Sequence, residues 1–383
     1  MNARSPSLTG EGSQALGFSL SSHNAKALAS TTATHAHILG FDGLRAIAVT
    51  MVVLFHLEIA GFKLGWLGVN FFFVLSGFLI TNILLATRVR PDYFKRFYIR
   101  RSLRIFPIYY FSLSAICAMG ALRGWPVGDW GWFAVYLQNW QLAMVPTIVF
   151  PNMLAHTWTL AIEEQFYLIW PVVVYLLGRR QLAAVIAALI VAGPVSRFLA
   201  LSLLDNHWAP ISPLPCVVDS LAWGAAGAVW LHNAASDRRA SAIWTARVWL
   251  TLLIAVCAGF IVALNAGLFG ANEDLAIRLG LVTWVNPLFL ALLLSLSANG
   301  AATRALELKP LRYIGKISYG IYLYHWPVLH CTDLALMQLK RVPDPSEAFA
   351  IIAFKITLTV TIATLSFAFF ERRFLNLKER ASS

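Results

Sequence analysis

The sequence predicts an all-α polytopic membrane protein with about ten transmembrane helices and both termini in the cytoplasm. Three observations lead to this fold class. Of the 383 residues, 58% are apolar and 13% are charged, with a mean hydropathy of +0.67, whereas soluble domains carry about 25% charged residues. The chain also contains about ten apolar stretches of about 20 residues, the length that crosses a bilayer as a helix. Finally, Lys and Arg residues concentrate at alternate ends of these stretches.

The predicted spans follow one another along most of the chain. They are residues 44–61, 67–87, 105–122, 157–178, 181–204, 214–233, 243–267, 276–299, 313–337 and 347–370. One further apolar stretch, residues 132–150, is interrupted by Gln138, Asn139, Gln141 and Pro146. We interpret it as an interfacial segment within a loop, because a span tolerates few polar groups.

The positive charge sets the predicted orientation. The chain has 30 Lys and Arg against 18 Asp and Glu, a net charge of +12. In a soluble protein this excess would suggest nucleic acid as a partner, but in a membrane protein it collects in cytoplasmic loops. Basic residues occupy alternate boundaries, in segments 88–104, 179–180, 238–239, 304–316 and 372–380, with Lys340 and Arg341 as the main exception. Ten spans fit this alternation, and no nucleic acid partner is expected.

The domain organisation is simple. Residues 1–38 are rich in Ser, Thr, Ala and His and are predicted to form a flexible cytoplasmic tail. Residues 39–374 form the transmembrane domain, and residues 375–383 a second cytoplasmic tail. The four cysteines lie far apart without metal-ligand spacing, and His35 and His37 have no further ligands nearby. We therefore expect no disulfide framework and no metal.

A cation and an imidazole share one face of the first span. In FDGLRAIAVTMVVLFH, residues 41–56, Arg45 and His56 are eleven positions apart, which is close to three helical turns or about 16 Å along the axis. Charged groups within a span usually line a cavity and function there. The structural alternative is that Arg45 reaches the inner interface and His56 satisfies a buried carbonyl.

A carboxylate is predicted to lie at a depth in the membrane similar to that of His56. In HTWTLAIEEQFYLIWP, residues 156–171, Glu163 lies roughly 9 Å below the outer end of the span. We predict that it orients the imidazole of His56, as the acid of a catalytic triad does. Glu164 points about 100° away and is expected to serve packing or to support the residues around the site.

Other polar residues gather at the outer and inner sides. Asn70, Asp219 and His325 lie at outer depths of their spans. At the inner side, Arg101 and Arg104 are neighbours on one helix surface. Arginine pairs suit phosphate groups because each guanidinium donates two parallel hydrogen bonds, although topological anchoring explains them equally well.

Five motifs in this order resemble those of the membrane acyltransferase 3 family of bacterial O-acyltransferases. The resemblance covers about residues 41–337. It rests on the Arg45-x10-His56 spacing, GVNFFFVLSGF, RRSLRIFP, TWTLAIEEQFYLIWP and ISYGIYLYHWP. Asn70 departs from the family pattern, which often has Asp there, and the closing FFERRF differs too, so we assign no role to Glu371.

The resemblance implies a function and a location. Family members use acyl-CoA as donor and a hydroxyl, usually on a carbohydrate, as acceptor, and they reside in the bacterial inner membrane. By position, His56 becomes the essential histidine and Arg45 its motif partner. Glu163 is the acidic residue of the fourth span, and Arg101 and Arg104 form the inner basic motif.

The expected chemistry agrees with that implication. Acyl transfer to a hydroxyl needs a base of near-neutral pKa, for which histidine is suited. We expect His56 to deprotonate the acceptor, with Asn70, Ser76 or His325 as candidates for stabilising the oxyanion, and Asp219 as a further substrate-binding candidate. A covalent acyl-histidine route remains open. The acceptor is also open among O-antigen of lipopolysaccharide, exopolysaccharide, lipid-linked oligosaccharide, lipo-oligosaccharide and glycosylated natural products, with acetyl as the expected acyl group.

Two other classes compete with the enzyme. A transporter could use intramembrane His and Glu as a proton relay, but paired broken helices in an inverted repeat are not evident in the sequence. A membrane scaffold would leave the charges within the spans unexplained. Substrate flux without an acyl donor would favour the transporter, and full glycan modification with His56→Ala would favour the scaffold.

Overall fold

The computed structural model describes residues 40–124, 128–145, 152–233, 236–265, 276–296, 301–339 and 344–380. Within these ranges the chain is helical and contains no strand, which confirms the predicted all-α fold class. The tail predicted at residues 1–38, including His35 and His37, lies outside the described residues. The predicted boundary at residue 374 falls inside a helix, Arg372–Arg380.

The helices follow the predicted spans closely. In chain order they are α1 Phe41–His56, α2 Leu67–Thr87, α3 Tyr93–Leu122, α4 Trp130–Ala134, α5 Gln138–Met144, α6 Trp158–Leu176, α7 Arg179–Leu203, α8 Leu214–Asn233, α9 Ser236–Asn265, α10 Val282–Leu296, α11 Ala301–Leu306, α12 Lys309–Lys316, α13 Ser318–Gln338, α14 Pro345–Ser366 and α15 Arg372–Arg380. A 3-10 helix, Asn152–Thr157, leads into α6. π-Helical turns, Ala276–Leu281 and Phe367–Glu371, precede α10 and follow α14.

In the described part of the chain, seven helical segments are long and apolar enough to cross a membrane. They are Leu67–Thr87, Tyr93–Leu122, Arg179–Leu203, Leu214–Asn233, Thr245–Ala263, Leu279–Leu296 and Glu347–Leu377. The protein is therefore a multi-pass membrane protein, as predicted. The other three predicted spans correspond to α1, which has 16 residues, and to α6 and α13, which hold polar side chains. The total of ten spans and the cytoplasmic termini stay predictions.

The third helix is longer than its apolar core. It begins at Tyr93 rather than near residue 105, because its first turns contain Lys and Arg, which are good helix formers. Long basic side chains extend from such a turn to the membrane surface while their stems stay in apolar surroundings. Helix α3 therefore places the basic motif on a rigid element.

The stretch predicted to be interfacial buries its amide side chains in the protein, while several of its apolar side chains stay exposed. It forms the short helices α4 and α5, and Gln138 and Asn139 are both 0% exposed. Nε2 of Gln138 donates to the carbonyl of Thr157 at 2.9 Å, and Nε2 of Gln165 donates to Oδ1 of Asn139 at 2.8 Å. Protein groups therefore satisfy these amides, and the interfacial placement of the stretch stays a prediction. Residues 146–151, with Pro146, lie outside the described residues.

Glycines allow α2 and α8 to pack closely. A Cβ atom on Gly77 would overlap the carbonyl oxygen of Leu221, and one on Gly224 would overlap that of Val74. Small residues at such crossings let membrane helices approach backbone to backbone. Two clusters of buried apolar side chains extend from this region, and α3 and α6 contribute to both. Helices α3 and α6 thereby hold Arg101 and Glu163 at fixed positions between the two clusters.

Candidate active site

Helix α1 ends at His56, whose imidazole packs against α13. Nδ1 of His56 lies 3.0 Å from Nε2 of His325, and the two rings stack with centroids 5.1 Å apart. The ring of Trp326 packs edge-on against His56, with centroids 4.6 Å apart. His325 is 0% exposed, whereas His56 is half-buried and lines a cavity. The protein thus fixes one side of the His56 ring and leaves another side accessible.

Hydrogen bonds to this pair determine which nitrogen of His56 carries the hydrogen. Nδ1 of His325 lies 2.6 Å from the backbone carbonyl of Tyr322. Because a carbonyl only accepts, Nδ1 of His325 must donate, and in the neutral ring its Nε2 is the acceptor. Nδ1 of His56 therefore donates to His325, which leaves a lone pair on Nε2 of His56. This is the tautomer that a general base requires.

Tyr322 joins the 3-10 helix and the start of α6 to α13. Its hydroxyl donates to the carbonyl of His156 at 2.8 Å and lies 2.7 Å from Oγ1 of Thr159. The ring of His156 packs edge-on against His325, with centroids 5.0 Å apart. We call His56, His156, Tyr322, His325 and Trp326 the histidine cluster.

Some polar ring atoms of the histidine cluster have no hydrogen-bond partner among the described residues. They are both ring nitrogens of His156 and the indole Nε1 of Trp326, and all three atoms are buried. Buried polar groups are normally paired in a folded protein. These unpaired donor and acceptor atoms beside His56 are therefore suited to groups that a bound substrate would supply.

A second cluster lies near the start of α1 and is defined by Asp42, Arg45, Arg101 and Arg104. Nη1 of Arg45 donates to Oδ1 of Asp42 at 2.6 Å, one helical turn away, and both side chains are 20% exposed. Arg104 is exposed and lies within electrostatic range of Arg45, Arg101 and Asp42. This arginine cluster therefore combines three cations with one carboxylate, an excess of positive charge suited to an anion.

The protein neutralises the positive charge of Arg101 more than that of Arg104. The guanidinium of Arg101 lies over the ring of Tyr167, 4.0 Å from its centroid, an attractive cation–π geometry. The carboxylates of Glu163 and Glu164 are also within electrostatic range of Arg101. Arg104, by contrast, is exposed, and Arg45 and Arg101 are the charged groups that influence it most, so it is the better placed of the two to bind an incoming anion.

Glu163 interacts with groups other than His56 in the structure. Its carboxylate is within hydrogen-bonding reach of Ser76 and Tyr167 and is attracted to Arg101. The hydroxyls of Ser76 and Tyr167 share a short hydrogen bond. The group that contacts Nδ1 of His56 is His325, not Glu163. The sequence placed Glu163 and His56 at similar depth, but the helices turn the carboxylate towards α3 and the imidazole towards α13.

Asn70 and Asp219 belong to a separate network between α2, α7, α8 and α10. Both oxygens of Asp219 accept from Arg197 at 2.8 Å, and the two side chains are each 1% exposed. Nδ2 of Asn286 also donates to Asp219 at 3.1 Å, and Ser220 links Asn286 to Asn70. These contacts use Asp219 and Asn70 to join helices, so the structure does not bring either residue to His56.

The sequence did not single out three members of the histidine cluster, His156, Tyr322 and Trp326, or the ring on which Arg101 packs, Tyr167. All four lie within the quoted motifs that also contain Glu163 and His325. His156 directly precedes the span that holds Glu163, and a histidine at a membrane entrance is a usable signal. The contact of Tyr322 through its backbone carbonyl has no signal in sequence. Among the described residues, no group of three or more His, Cys, Asp or Glu is arranged to hold a metal ion.

The fold is that of an all-helical membrane protein. His56 is held in the tautomer of a base at one end of α1, and the arginine cluster lies near the other end. This arrangement fits an acyl-transfer enzyme. The family comparison agrees with this class. The model of the acyltransferase domain family matches residues 38–368, and the chain belongs to this membrane acyltransferase family, as the motifs predicted.

Curated relatives narrow the comparison further. The chain is 29% identical to the peptidoglycan O-acetyltransferase OatA of Listeria monocytogenes, over 89% of this chain and 56% of that protein. It is 30% identical to the putative peptidoglycan O-acetyltransferase YrhL of Bacillus subtilis, over 89% of this chain and 55% of that protein. The O-acetyltransferase OatA of Staphylococcus aureus is 26% identical, over 88% and 57%. The chain thus spans about half the length of these relatives, and no solved structure matches it significantly.

Proposed function

We propose that the protein is an integral-membrane O-acyltransferase that moves an acetyl group from acetyl-CoA to a hydroxyl of a carbohydrate. The observation that carries the proposal is the contact of 3.0 Å between Nδ1 of His56 and Nε2 of His325. It leaves Nε2 of His56 unprotonated, on a half-buried residue that lines a cavity at the C-terminal end of α1. The relatives are named as O-acetyltransferases, one for peptidoglycan and one as a putative peptidoglycan enzyme, which favours an acetyl group and a glycan acceptor here.

The reaction proceeds by direct attack. Nε2 of His56 takes the proton of the acceptor hydroxyl as its oxygen attacks the thioester carbonyl carbon. The tetrahedral intermediate collapses, the carbon–sulfur bond breaks, and the proton passes from His56 to the departing thiolate. The products are a glycan O-acetyl ester and free coenzyme A. General base catalysis of this kind contributes about 10²- to 10⁴-fold in rate.

The oxyanion of the intermediate needs a donor near His56. Nε1 of Trp326 and the ring of His156 are the nearby buried polar groups without partners in the described part of the chain. Ser76 is engaged with Tyr167, and Asn70 with Ser220. We therefore assign oxyanion stabilisation to the histidine cluster in preference to Asn70 or Ser76.

The arginine cluster binds the donor. Coenzyme A carries several phosphate charges, and the exposed Arg104 beside Arg45 presents a cationic surface to them. Arg45 and His56 are separated by about 16 Å along α1. A flexible thioester arm bound by its phosphates at Arg104 extends along α1 towards His56. Acetyl-CoA then remains on one side of the membrane while the acceptor reaches His56 from the other.

The acceptor glycan belongs to one of the classes that the sequence leaves open. The names of the relatives add peptidoglycan to these classes. O-antigen, exopolysaccharide and lipid-linked oligosaccharide all present ring hydroxyls, so they require the same chemistry at His56. A transporter with a His/Glu relay is less well supported, because Glu163 interacts with Ser76, Tyr167 and Arg101 whereas His56 contacts His325. Uptake of a substrate into liposomes without an acyl donor would favour that alternative.

Purified protein tests the proposal. Wild type, His56→Ala and the matched control His232→Ala are incubated with radiolabelled acetyl-CoA and with glycan extracted from a strain lacking the gene. His232 is exposed at the end of α8, away from both clusters. We expect label on the glycan with wild type and His232→Ala, and at least a hundredfold slower transfer with His56→Ala. Equal transfer by all three would refute the assignment of His56.

The same purified protein distinguishes direct attack from a route through a covalent acyl-enzyme intermediate. Protein incubated with acetyl-CoA alone is digested and analysed by mass spectrometry. Direct attack predicts no acetyl group on His56 before glycan is added. A stoichiometric acetyl-imidazole that disappears on addition of glycan would establish the covalent route.

A further inference from the structure

We propose that the cavity beside His56 is the acceptor subsite, and that it takes one uncharged, hydroxyl-rich sugar ring of the glycan. This inference rests on the proposed function and specifies the substrate class of the same site. The cavity has a volume of about 240 Å³ and is lined by His56 itself. Any molecule occupying it would contact the proposed base directly.

Three helices supply the walls of the cavity. The end of α1 contributes Leu57 and Glu58 directly after His56. Helix α13 contributes Leu329 and Asp333, and α14 contributes Ile352 and Lys355. Residues three or four positions apart share a helix face, so each of the last two helices presents one apolar and one charged side chain to the same space.

The charged wall consists of an ion pair. Nζ of Lys355 donates to Oδ1 of Asp333 at 2.6 Å, with Lys355 only 11% exposed and Asp333 49% exposed. A lysine ammonium has three hydrogens and a carboxylate has several lone pairs, so both groups retain capacity for additional hydrogen bonds. A buried lysine within a membrane-spanning helix is costly unless it is paired or used. The pair can therefore bind adjacent hydroxyls of a ring, one through each partner.

The mixed wall matches the surface of a sugar. A pyranose ring presents C–H groups on its faces and hydroxyls around its rim. Leu57, Leu329 and Ile352 are suited to the apolar face, while Glu58, Asp333 and Lys355 are suited to the rim. Ligand sites commonly combine an apolar lining with a few polar groups that fix orientation.

The charge balance selects against anionic rings. Glu58 and Asp333 contribute two negative charges and Lys355 one positive charge, so the lining is net negative with His56 neutral. A uronic acid or a phosphorylated sugar would meet an excess of carboxylate, because Asp333 already balances the positive charge of the Lys355 ammonium. Neutral hydroxyls meet both donors and acceptors, so the lining favours an uncharged ring.

The backbone beside His56 supports a functional role for Glu58. Its φ is +56°, in the left-handed region that non-glycine residues seldom adopt. Such conformations cluster at functional sites. The turn follows the final residue of α1 immediately and brings an exposed carboxylate to the cavity that His56 lines.

The size of the cavity limits what it holds. Sites for drug-sized ligands measure about 300 to 1,000 Å³, so a cavity of about 240 Å³ admits one ring. The remainder of the glycan extends from the cavity past Glu58, which is exposed. Specificity at this point is therefore set by one residue of the glycan and not by its length.

Steady-state kinetics of the full-length protein in nanodiscs test the subsite. The variants are Lys355→Met and Glu58→Gln, with Lys63→Met as the control, because Lys63 is exposed in the α1–α2 turn outside the cavity. The acceptor probe is unacylated surface glycan extracted from the deletion strain. We expect Lys355→Met to raise the KM for this glycan about tenfold or more, as loss of a charged hydrogen bond does. The KM for acetyl-CoA and the kcat are expected to stay within about twofold of wild type, and Lys63→Met to match wild type.

Competition experiments test the predicted charge of the ring. Methyl glucoside and methyl glucuronide are added as inhibitors of glycan acylation by wild type. We expect the neutral glycoside to inhibit more strongly than the anionic one. We also expect its inhibition to weaken in Lys355→Met. Stronger inhibition by the glucuronide would overturn the choice of an uncharged ring.

Failure of this subsite and failure of the proposed function give different results. If wild type transfers no acetyl group to any glycan, the proposed function fails and the subsite with it. If wild type is active and Lys355→Met leaves the glycan KM unchanged, only the subsite is refuted. A parallel change of kcat and of both KM values in Lys355→Met would assign Lys355 to packing and refute the subsite as well. The double variant Lys355→Met/Asp333→Leu, which removes both charges, checks that protein yield is retained.

Discussion

Nε2 of His325 accepts a hydrogen bond from Nδ1 of His56 across 3.0 Å, while Nδ1 of His325 donates to the carbonyl of Tyr322 across 2.6 Å. This chain of two bonds fixes both rings without a carboxylate. In a Ser-His-Asp triad an aspartate accepts from the imidazole and sets its tautomer. Here a neutral imidazole anchored to the backbone takes that position.

Replacement of His325 tests this arrangement. In His325→Gln, Oε1 can occupy the position of Nε2 and accept from His56, while the amide donates to the Tyr322 carbonyl. His325→Ala removes the acceptor altogether. We expect kcat to fall at least a hundredfold in His325→Ala and about tenfold or less in His325→Gln, with the KM for acetyl-CoA unchanged in both.

The pH profile of kcat/KM distinguishes positioning from packing at His325. If His325 sets the tautomer of His56, the profile of His325→Ala changes shape as well as height. An unchanged profile, or equal losses in the Ala and Gln variants, would contradict the positioning role.

Glu163 is expected to act through Arg101 and not through His56. Glu163→Gln removes a negative charge beside Arg101 and leaves the hydrogen bond of His56 to His325 intact. We therefore expect its pH profile to match wild type, while the KM for acetyl-CoA changes because the charge of the neighbouring arginines is less compensated. A pH profile in Glu163→Gln that shifts like that of His325→Ala would show that Glu163 supports the base after all.

Arg104 is expected to bind the donor more directly than Arg101. Arg104→Gln should raise the KM for acetyl-CoA about tenfold or more, since hydrogen bonds to charged groups contribute about 1.5–3 kcal/mol. Arg104→Lys, which keeps the charge but loses the guanidinium fork, should recover part of the loss. Binding of acetyl-CoA in rising salt gives an independent measurement, because exposed charge pairs weaken with ionic strength. Donor affinity that is unaffected in Arg104→Gln would remove this residue from the donor site.

Arg197 and Asp219 are expected to serve stability and not turnover. Breaking a buried ion pair by removing one partner costs about 3–5 kcal/mol, whereas replacing both by apolar residues often costs little. We therefore expect Arg197→Met to lower the Tm in detergent strongly and the double variant Arg197→Met/Asp219→Leu to recover most of it. The glycan KM of the double variant should equal that of wild type. A raised glycan KM in a well-folded double variant would restore Asp219 as a substrate-binding residue.

Much of the fold follows from composition and periodicity. The spans predicted at 67–87 and 214–233 coincide with α2 and α8, because each is a predominantly apolar run closed by polar residues. Boundaries failed where a helix continues beyond the apolar part, as at the start of α3. The stretch 132–150 was placed at the interface because amides are costly in lipid, yet Gln138 and Asn139 are satisfied by partners distant in sequence.

The site was predictable only in part for a geometric reason. Spacing along one helix placed Arg45 and His56 on the same face, and motif order identified His325 and Glu163 as notable residues. Which of the two contacts His56 depends on how α6 and α13 are rotated about their axes, and one sequence does not determine that rotation. The contact of Tyr322 with His325 could not be predicted from residue type, since it is made by the backbone carbonyl. Asp219 was notable for the same reason as Glu163, a carboxylate within a span, but its partner Arg197 could be found only in three dimensions.

The most direct test of the account is NMR of alkali-labile O-acyl esters on surface glycans. The samples come from a deletion strain that carries an empty vector, the wild-type gene, His56→Ala or His232→Ala, with equal membrane levels of the three proteins verified by immunoblot. We expect wild type and His232→Ala to restore the ester signal, and we expect no signal with His56→Ala. Equal restoration by wild type and His56→Ala would contradict the central claim that His56 is the base for acyl transfer.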